Sequence, residues 1–280
     1  MLNVSDMFPE WLSGIRSQVP RGAALVLGLI PILILLTFWW GLTRGAPEER
    51  VVGPTILPSP YETVASLSDL LGTPDLDNRD IFDHIWISLR RVGLGFLLAL
   101  AIVLPLGILI GSFGSMRALF SLVMTASGYI PIAVLVPLTL SWFGLDEIQK
   151  VVFLAMAFGI FLLPMVAKAV DAVPDVYLRT AYTLGASRFQ IVWRVLVPTA
   201  LPDIWHSMRL AFGVGWSYLV LAEVVVKTGG LGDVIDTARR RAMSGRVYLV
   251  IVIITLIAWL ADLIWERLSG VLFPYRGKQT

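Results

Sequence analysis

Side chains able to do chemistry are sparse in this chain, and their arrangement excludes most chemistries. There is no Cys, hence no thiol nucleophile, disulfide or thiolate metal site. The two His, His84 and His206, lie far apart with no His or Cys at ligand spacing, and both read as interfacial or packing residues. A six-span serine protease would need a Ser–His pair at membrane depth; His206 has Arg209 one turn on, and no G-x-S-x-G occurs. Nor is there a G-x-x-x-x-G-K-[ST] phosphate loop, since the single Gly-Lys pair, Gly277-Lys278, is followed by Gln279. Two kinds of feature remain. One is a set of ionisable residues inside apolar sequence, where charge is expensive and usually functional. The other is a polar island of about thirty residues, from Asp171 to Pro202, in an otherwise lipid-soluble chain.

The island has its own internal logic. Pro174 suits the first turn of a helix that carries Val176, Tyr177, Ala181 and Leu184. Gly185 then allows a sharp turn. Ser187 and Gln190 make a capping-box pattern that starts a second helix, with Phe189, Ile191, Val192 and Val195, expected to stop before Pro198. Arg179, Arg188 and Arg194 sit on the flanks. Such a hairpin either lies on the surface as a connector or inserts as a knob into a partner's groove.

These residues must be positioned by membrane helices. The chain is 57% apolar and only 15% charged, below the quarter or so expected of a soluble domain. Its apolar residues come in blocks the length of a bilayer span, without the alternation of a barrel. The expected fold is all-α and integral to the membrane, with six spans near 22–42, 92–111, 118–140, 151–167, 210–226 and 247–265 in one domain, 22–270. Residues 5–18 read as a surface helix within a 1–21 amino-terminal segment, and 271–280 as a tail. A Pro- and Asp-rich loop joins the first two spans, with a short helix from Ser59 or Tyr61. No basic run implies nucleic acid. The 22 Lys and Arg divide evenly between the two sides, so charge does not set the orientation.

Among embedded residues, Glu223 and Asp262 lie towards span ends, as pathway groups or as helix-to-helix contacts. Arg90, Arg91 and the cluster Arg239, Arg240 and Arg241 either line an anion-attracting vestibule or sit among headgroups. Gly93, Gly95, Gly107 and Gly111 offer a small-residue packing face. Gly128, Tyr129 and Pro131 could loosen the third span.

The spacing within the island resembles the coupling-loop signature of ATP-binding-cassette importer permeases: E-A-A, three residues, G, nine residues, I-x-L-P. Ala181, Gly185 and Pro198 match it; Arg179 and Thr180 stand where that pattern has Glu and the first Ala, and Val195 and Val197 replace Ile and Leu. Further strings at 55–60 (TILPSP), 88–96 (SLRRVGLGF), 137–145 (PLTLSWFGL), 208–213 (MRLAFG) and 229–232 (GGLG) are similar to the nitrate, sulfonate, taurine and bicarbonate branch. The resemblance implies the type I importer permease fold, with both termini in the cytoplasm of an inner-membrane protein. It implies a cytoplasmic coupling hairpin, including Ala186 and Ser187, that docks on a separate ATPase holding the ATP and Mg. A second permease copy, an external solute-binding protein and a small-anion substrate follow from the same resemblance. A secondary transporter or channel is the alternative, although that class usually shows internal repeats, which this sequence lacks.

Overall fold

The computed structural model describes Ile15 and residues 17–72, 78–226 and 228–275. The surface helix expected over 5–18 falls largely outside the described residues, as does the tail from residue 276. All regular structure among the described residues is helical. In chain order come α1 (Arg21–Leu42), α2 (Pro60–Gly72), α3 (Ile81–Ser112), α4 (Gly114–Ser127), a 3₁₀ turn (Ile132–Val134), α5 (Leu135–Phe143) and α6 (Glu147–Asp171). Then follow α7 (Asp175–Thr183), α8 (Arg188–Ile191), a π turn (Val192–Leu196), α9 (Val197–Val225), α10 (Leu231–Arg240) and α11 (Ser244–Leu272).

Five helical runs are long and apolar enough to cross a membrane, and α4 with α5 would make a sixth as a broken span. That break corrects the single span expected over 118–140. The two helices meet at 88°, because the intervening Pro131 has no N–H to continue a helix and the chain takes a 3₁₀ turn instead. Tyr129, in the break, is 83% exposed.

The core is built on α3, α6 and α9. Along α3, Gly95, Gly107 and Gly111 lie against α6 so closely that an added Cβ would fall 2.7 Å from Leu154, 2.7 Å from Val166 and 2.6 Å from the Ala167 carbonyl. Small residues at four-residue spacing let helix backbones approach where lipid supplies no hydrophobic drive. Gly93 meets nothing and is not part of this face. Gly215 does the same on α9, where a Cβ would strike the Phe158 ring at 2.1 Å. One half of the core holds Val92, Phe96, Phe153, Phe158 and Trp216; the other holds Val103, Leu162, Val166, Ile191, Val192 and Ile204.

α1 differs: it is apolar on all sides, and none of its most apolar window is buried against the rest of the chain. Its tether is at one end, where Trp39 donates to the Pro58 carbonyl at 2.8 Å and stacks near Tyr248. Ser59 and Glu62 form a capping box at the start of α2, and Arg50 clamps Glu62 with two bonds of 3.0 and 2.9 Å. The Arg50 guanidinium, helped by the Ser59 N–H, holds the Glu62 carboxyl down at about 2.

Candidate functional site

Two constructions stand out, one at each end of the bundle. At the first end, α7 closes with two backbone bonds: Ala186 N–H to the Ala181 carbonyl and Gly185 N–H to the Tyr182 carbonyl, both 3.0 Å. This is the Schellman arrangement, which needs a residue with positive φ; Gly185 supplies it at +78°. Ser187 then caps α8. Its N–H donates to Gln190 Oε1 at 2.8 Å, and its Oγ accepts from the Gln190 N–H at 3.4 Å.

The second helix does not stop at Pro198, as sequence reasoning expects. It runs from Arg188 to Val225 without interruption. The missing N–H of Pro198 would ordinarily break the ladder and crowd the carbonyl four residues back. Here the chain widens into the π turn just before it, with the Val197 N–H reaching back to the Val192 carbonyl, and the ring is accommodated. The fifth span thus extends well beyond 210–226.

The hairpin divides into an inner and an outer face. Ala181, Ile191, Val192 and Leu196 are buried against Val166, Val170 and Val173. Tyr177, Tyr182, Leu184, Phe189 and Trp193 point away, 48% to 82% exposed. Arg179, Thr180, Ser187, Arg188, Arg194 and Pro198 are also exposed, whereas Ala186, Val195 and Val197 are half-buried. The result is an apolar crest on a firmly capped support.

At the other end lies a charged knot, buried except for the half-exposed Glu147. Arg91, 1% exposed, uses its whole guanidinium. Nε donates to Glu147 Oε2 at 2.8 Å and Nη1 to Glu223 Oε1 at 2.8 Å and the Gly229 carbonyl at 2.6 Å. Nη2 reaches the other oxygen of Glu147 and both oxygens of Thr228. Glu223, fully buried, accepts in addition from Ser88 Oγ and, at 2.8 Å, from the Gly232 N–H. His84 Nδ1 accepts from the Gly230 N–H at 3.0 Å, and Ser88 Oγ from the Leu231 N–H at 2.9 Å. The free N–H groups that open α10 are therefore satisfied by α3 and α9. Lys150, also fully buried, bonds to Thr228 and lies 3.5 Å from Glu147. Glycine is required at the turn: Gly230 has φ +107°, and a Cβ there would fall 2.3 Å from Glu223 Oε1.

Two positive and two negative charges close the knot, and hydrogen bonds satisfy Arg91 and Glu223, which is the condition for a buried ion pair to be tolerated. Arg91 consequently faces no vestibule, while Arg90 beside it is exposed. Arg239 and Arg240 clamp buried Asp236 from the surface, each at 2.7 Å, and lower its pKa. Asp262 takes both of its bonds from Arg209 at 2.6 Å, a helix-to-helix contact between α9 and α11. Sequence reasoning missed Ser88, Glu147, Lys150 and Thr228. Two of its strings, at 88–96 and 229–232, held parts of the knot, but no spacing announced that they meet.

Residues 103–274 match the family model described as binding-protein-dependent transport system inner membrane component. The taurine transport system permease protein TauC of Escherichia coli is 30% identical over 259 residues, covering 92% of this chain and 93% of that protein. The nitrate import permease protein NrtB of Synechocystis is 26% identical, covering 89% and 90%. Among solved structures, an inward-facing MetNI methionine ABC transporter superposes with a TM-score of 0.62 at 21% identity, covering 68% of this chain and 95% of that one. An identity that low speaks for the shared fold alone. With the family model spanning most of the chain and TauC aligned nearly end to end, this multi-pass membrane protein belongs to the inner membrane components of binding-protein-dependent transport systems.

Proposed function

We propose that the chain is the permease subunit of an ATP-driven importer for a small anion of the taurine, sulfonate or nitrate class. Two copies form the pathway, and an external binding protein delivers the solute. The hairpin end faces the cytoplasm and docks on a separate ATPase, which holds the ATP and Mg²⁺. The observation that carries this reading is the exposed apolar crest, fixed by two caps onto the end of a 38-residue helical run. At 1.5 Å per residue that run is about 57 Å long, nearly twice the roughly 30 Å of hydrocarbon, which leaves length for its hairpin end to stand outside the apolar layer. The substrate class is supported by the names of TauC and NrtB.

The test is uptake of labelled taurine and of nitrate by cells carrying the full transporter, with ATP depleted while the proton gradient is maintained. Uptake should cease. Persistent uptake would restore the secondary-transporter reading. Because the chain lacks Cys, Thr183→Cys gives a unique label site. An impermeant thiol reagent should reach it only from the cytoplasmic side; labelling from outside would reverse the orientation and remove the docking role.

A further inference from the structure

The hairpin carries charge that nothing else on the described chain answers. Arg179, Arg188 and Arg194 are exposed around the crest, and none makes an ion pair or side-chain hydrogen bond among the described residues. Neighbouring arginines behave differently: Arg117 is paired with Asp171, and Arg209 with Asp262 and Glu266. The sole acid between Ala172 and Leu196 is Asp175, in the first turn of α7, where the helix dipole favours it.

We propose that the ATPase which receives this hairpin offers a groove with an apolar floor and a carboxylate rim, its Asp or Glu side chains facing Arg179, Arg188 and Arg194. The inference rests on the docking reading above and names the chemistry of that partner. It also assigns a selectivity role. Arg179 stands where the resembling signature has Glu, so an ATPase shaped for the acidic version would present a cation here and be repelled. The hairpin selects its engine by inverted charge as well as by shape.

To test this, the tagged full-length chain is purified from its native membrane together with the ATPase that stays on it, identified by that subunit's own phosphate loop. The ATPase-to-permease ratio is measured at about 0.1 M and about 1 M salt, where the screening length falls from about 10 Å to about 3 Å. The ratio should drop several-fold with salt. The R179E/R188E/R194E variant should retain at least about tenfold less ATPase at low salt while still inserting and eluting as a single species. A photo-crosslinker at position 179 should become attached to the ATPase next to an Asp or Glu. If retention is indifferent to both salt and charge reversal, the rim proposal fails while docking stands. If no ATPase accompanies even the unaltered chain at low salt, the docking reading itself fails. A variant that keeps its ATPase but loses adhesion to phosphatidylglycerol vesicles would assign the arginines to lipid and overturn the proposal.

Discussion

The two ends of the bundle solve opposite problems with the same kinds of residue. At the knot end, Arg91, Lys150 and Glu223 are withdrawn from solvent, and Arg91 and Glu223 are saturated with partners from α3, α6, α9 and the 228–232 turn. At the hairpin end, arginines and aromatic rings are held outward on a support fixed by two hydrogen-bonded caps and an apolar inner face. A surface built to meet another molecule has to leave its strongest groups unsatisfied, whereas one built to hold helices in register consumes them. The difference separates structural charge from available charge, which the sequence alone presents alike.

The sharpest way to break this contrast is at Glu223. Glu223→Ala leaves Arg91 and Lys150 buried with one carboxylate between them and should cost about 3–5 kcal/mol, read as a large drop in thermal stability in detergent. The double change Arg91→Met with Glu223→Leu should recover much of that loss. A double variant as unstable as the single one would show that the hydrogen bonds to Ser88 and Gly232, and not the charges, hold the knot.

Gly185 probes the other end. A Cβ there meets nothing within 4 Å, so the penalty comes from its φ of +78° alone. Gly185→Ala should therefore cost about 1–2 kcal/mol and still fold. Phe189→Ala, on the open crest, should alter stability by less than about 0.5 kcal/mol yet reduce ATPase stimulation in reconstituted vesicles. An unstable Phe189→Ala would mean that the crest is packed after all.

The same cap recurs at the knot end with the wrong residue. α10 closes with Met243 N–H on the Ala238 carbonyl at 2.9 Å and Ala242 N–H on the Arg239 carbonyl at 3.1 Å, with Ala242 at φ +54°. Ala242→Gly should thus stabilise by up to about 1 kcal/mol, relief of strain outweighing the added freedom of the unfolded chain. A neutral or harmful outcome would indicate that the strain is used elsewhere.

The smallest effect concerns pH. Glu62 has a folded pKa of about 2, below its ordinary 4.5. A depressed carboxylate stabilises fully above the unfolded value and loses that contribution as pH falls through the folded one. The clamp on the 45–59 loop should accordingly be intact above about pH 4.5 and released towards about pH 2. Limited proteolysis of that loop by an acid protease reads it, and Glu62→Gln should remove the dependence.

Membrane residence, helical class, the short helix at Ser59 and the bend at Gly185 were all legible, because each rests on local chemistry: block length, a capping box, a glycine spacing. The span ends were not. Asp83, whose carboxylate accepts the Asp80 N–H at 3.1 Å, helps start α3 at Ile81, well before its apolar block at Val92, and capping is silent about hydropathy. Pro198 misled for a related reason, since the π turn that rescues it uses no distinctive residue type. The knot was legible only in part: Glu223 and Arg91 stood out as charges near apolar sequence, but its members lie up to 146 residues apart and nothing local shows that they meet. His84, read as a packing residue, is a hydrogen-bond acceptor at the centre of that junction.

The helical run from Arg188 to Val225, widened once at the π turn, makes the fifth span one long rod with unlike ends. Its far tip carries the crest, and Glu223, two residues from its near tip, sits in an ionic socket that admits no sliding. A rod pinned so can pivot more readily than it can translate. Each 5° of tilt about that socket would carry the crest sideways by about 5 Å over a length of about 57 Å. Leverage of this kind turns a small angular adjustment among the packed helices into a displacement large enough for another molecule to push against.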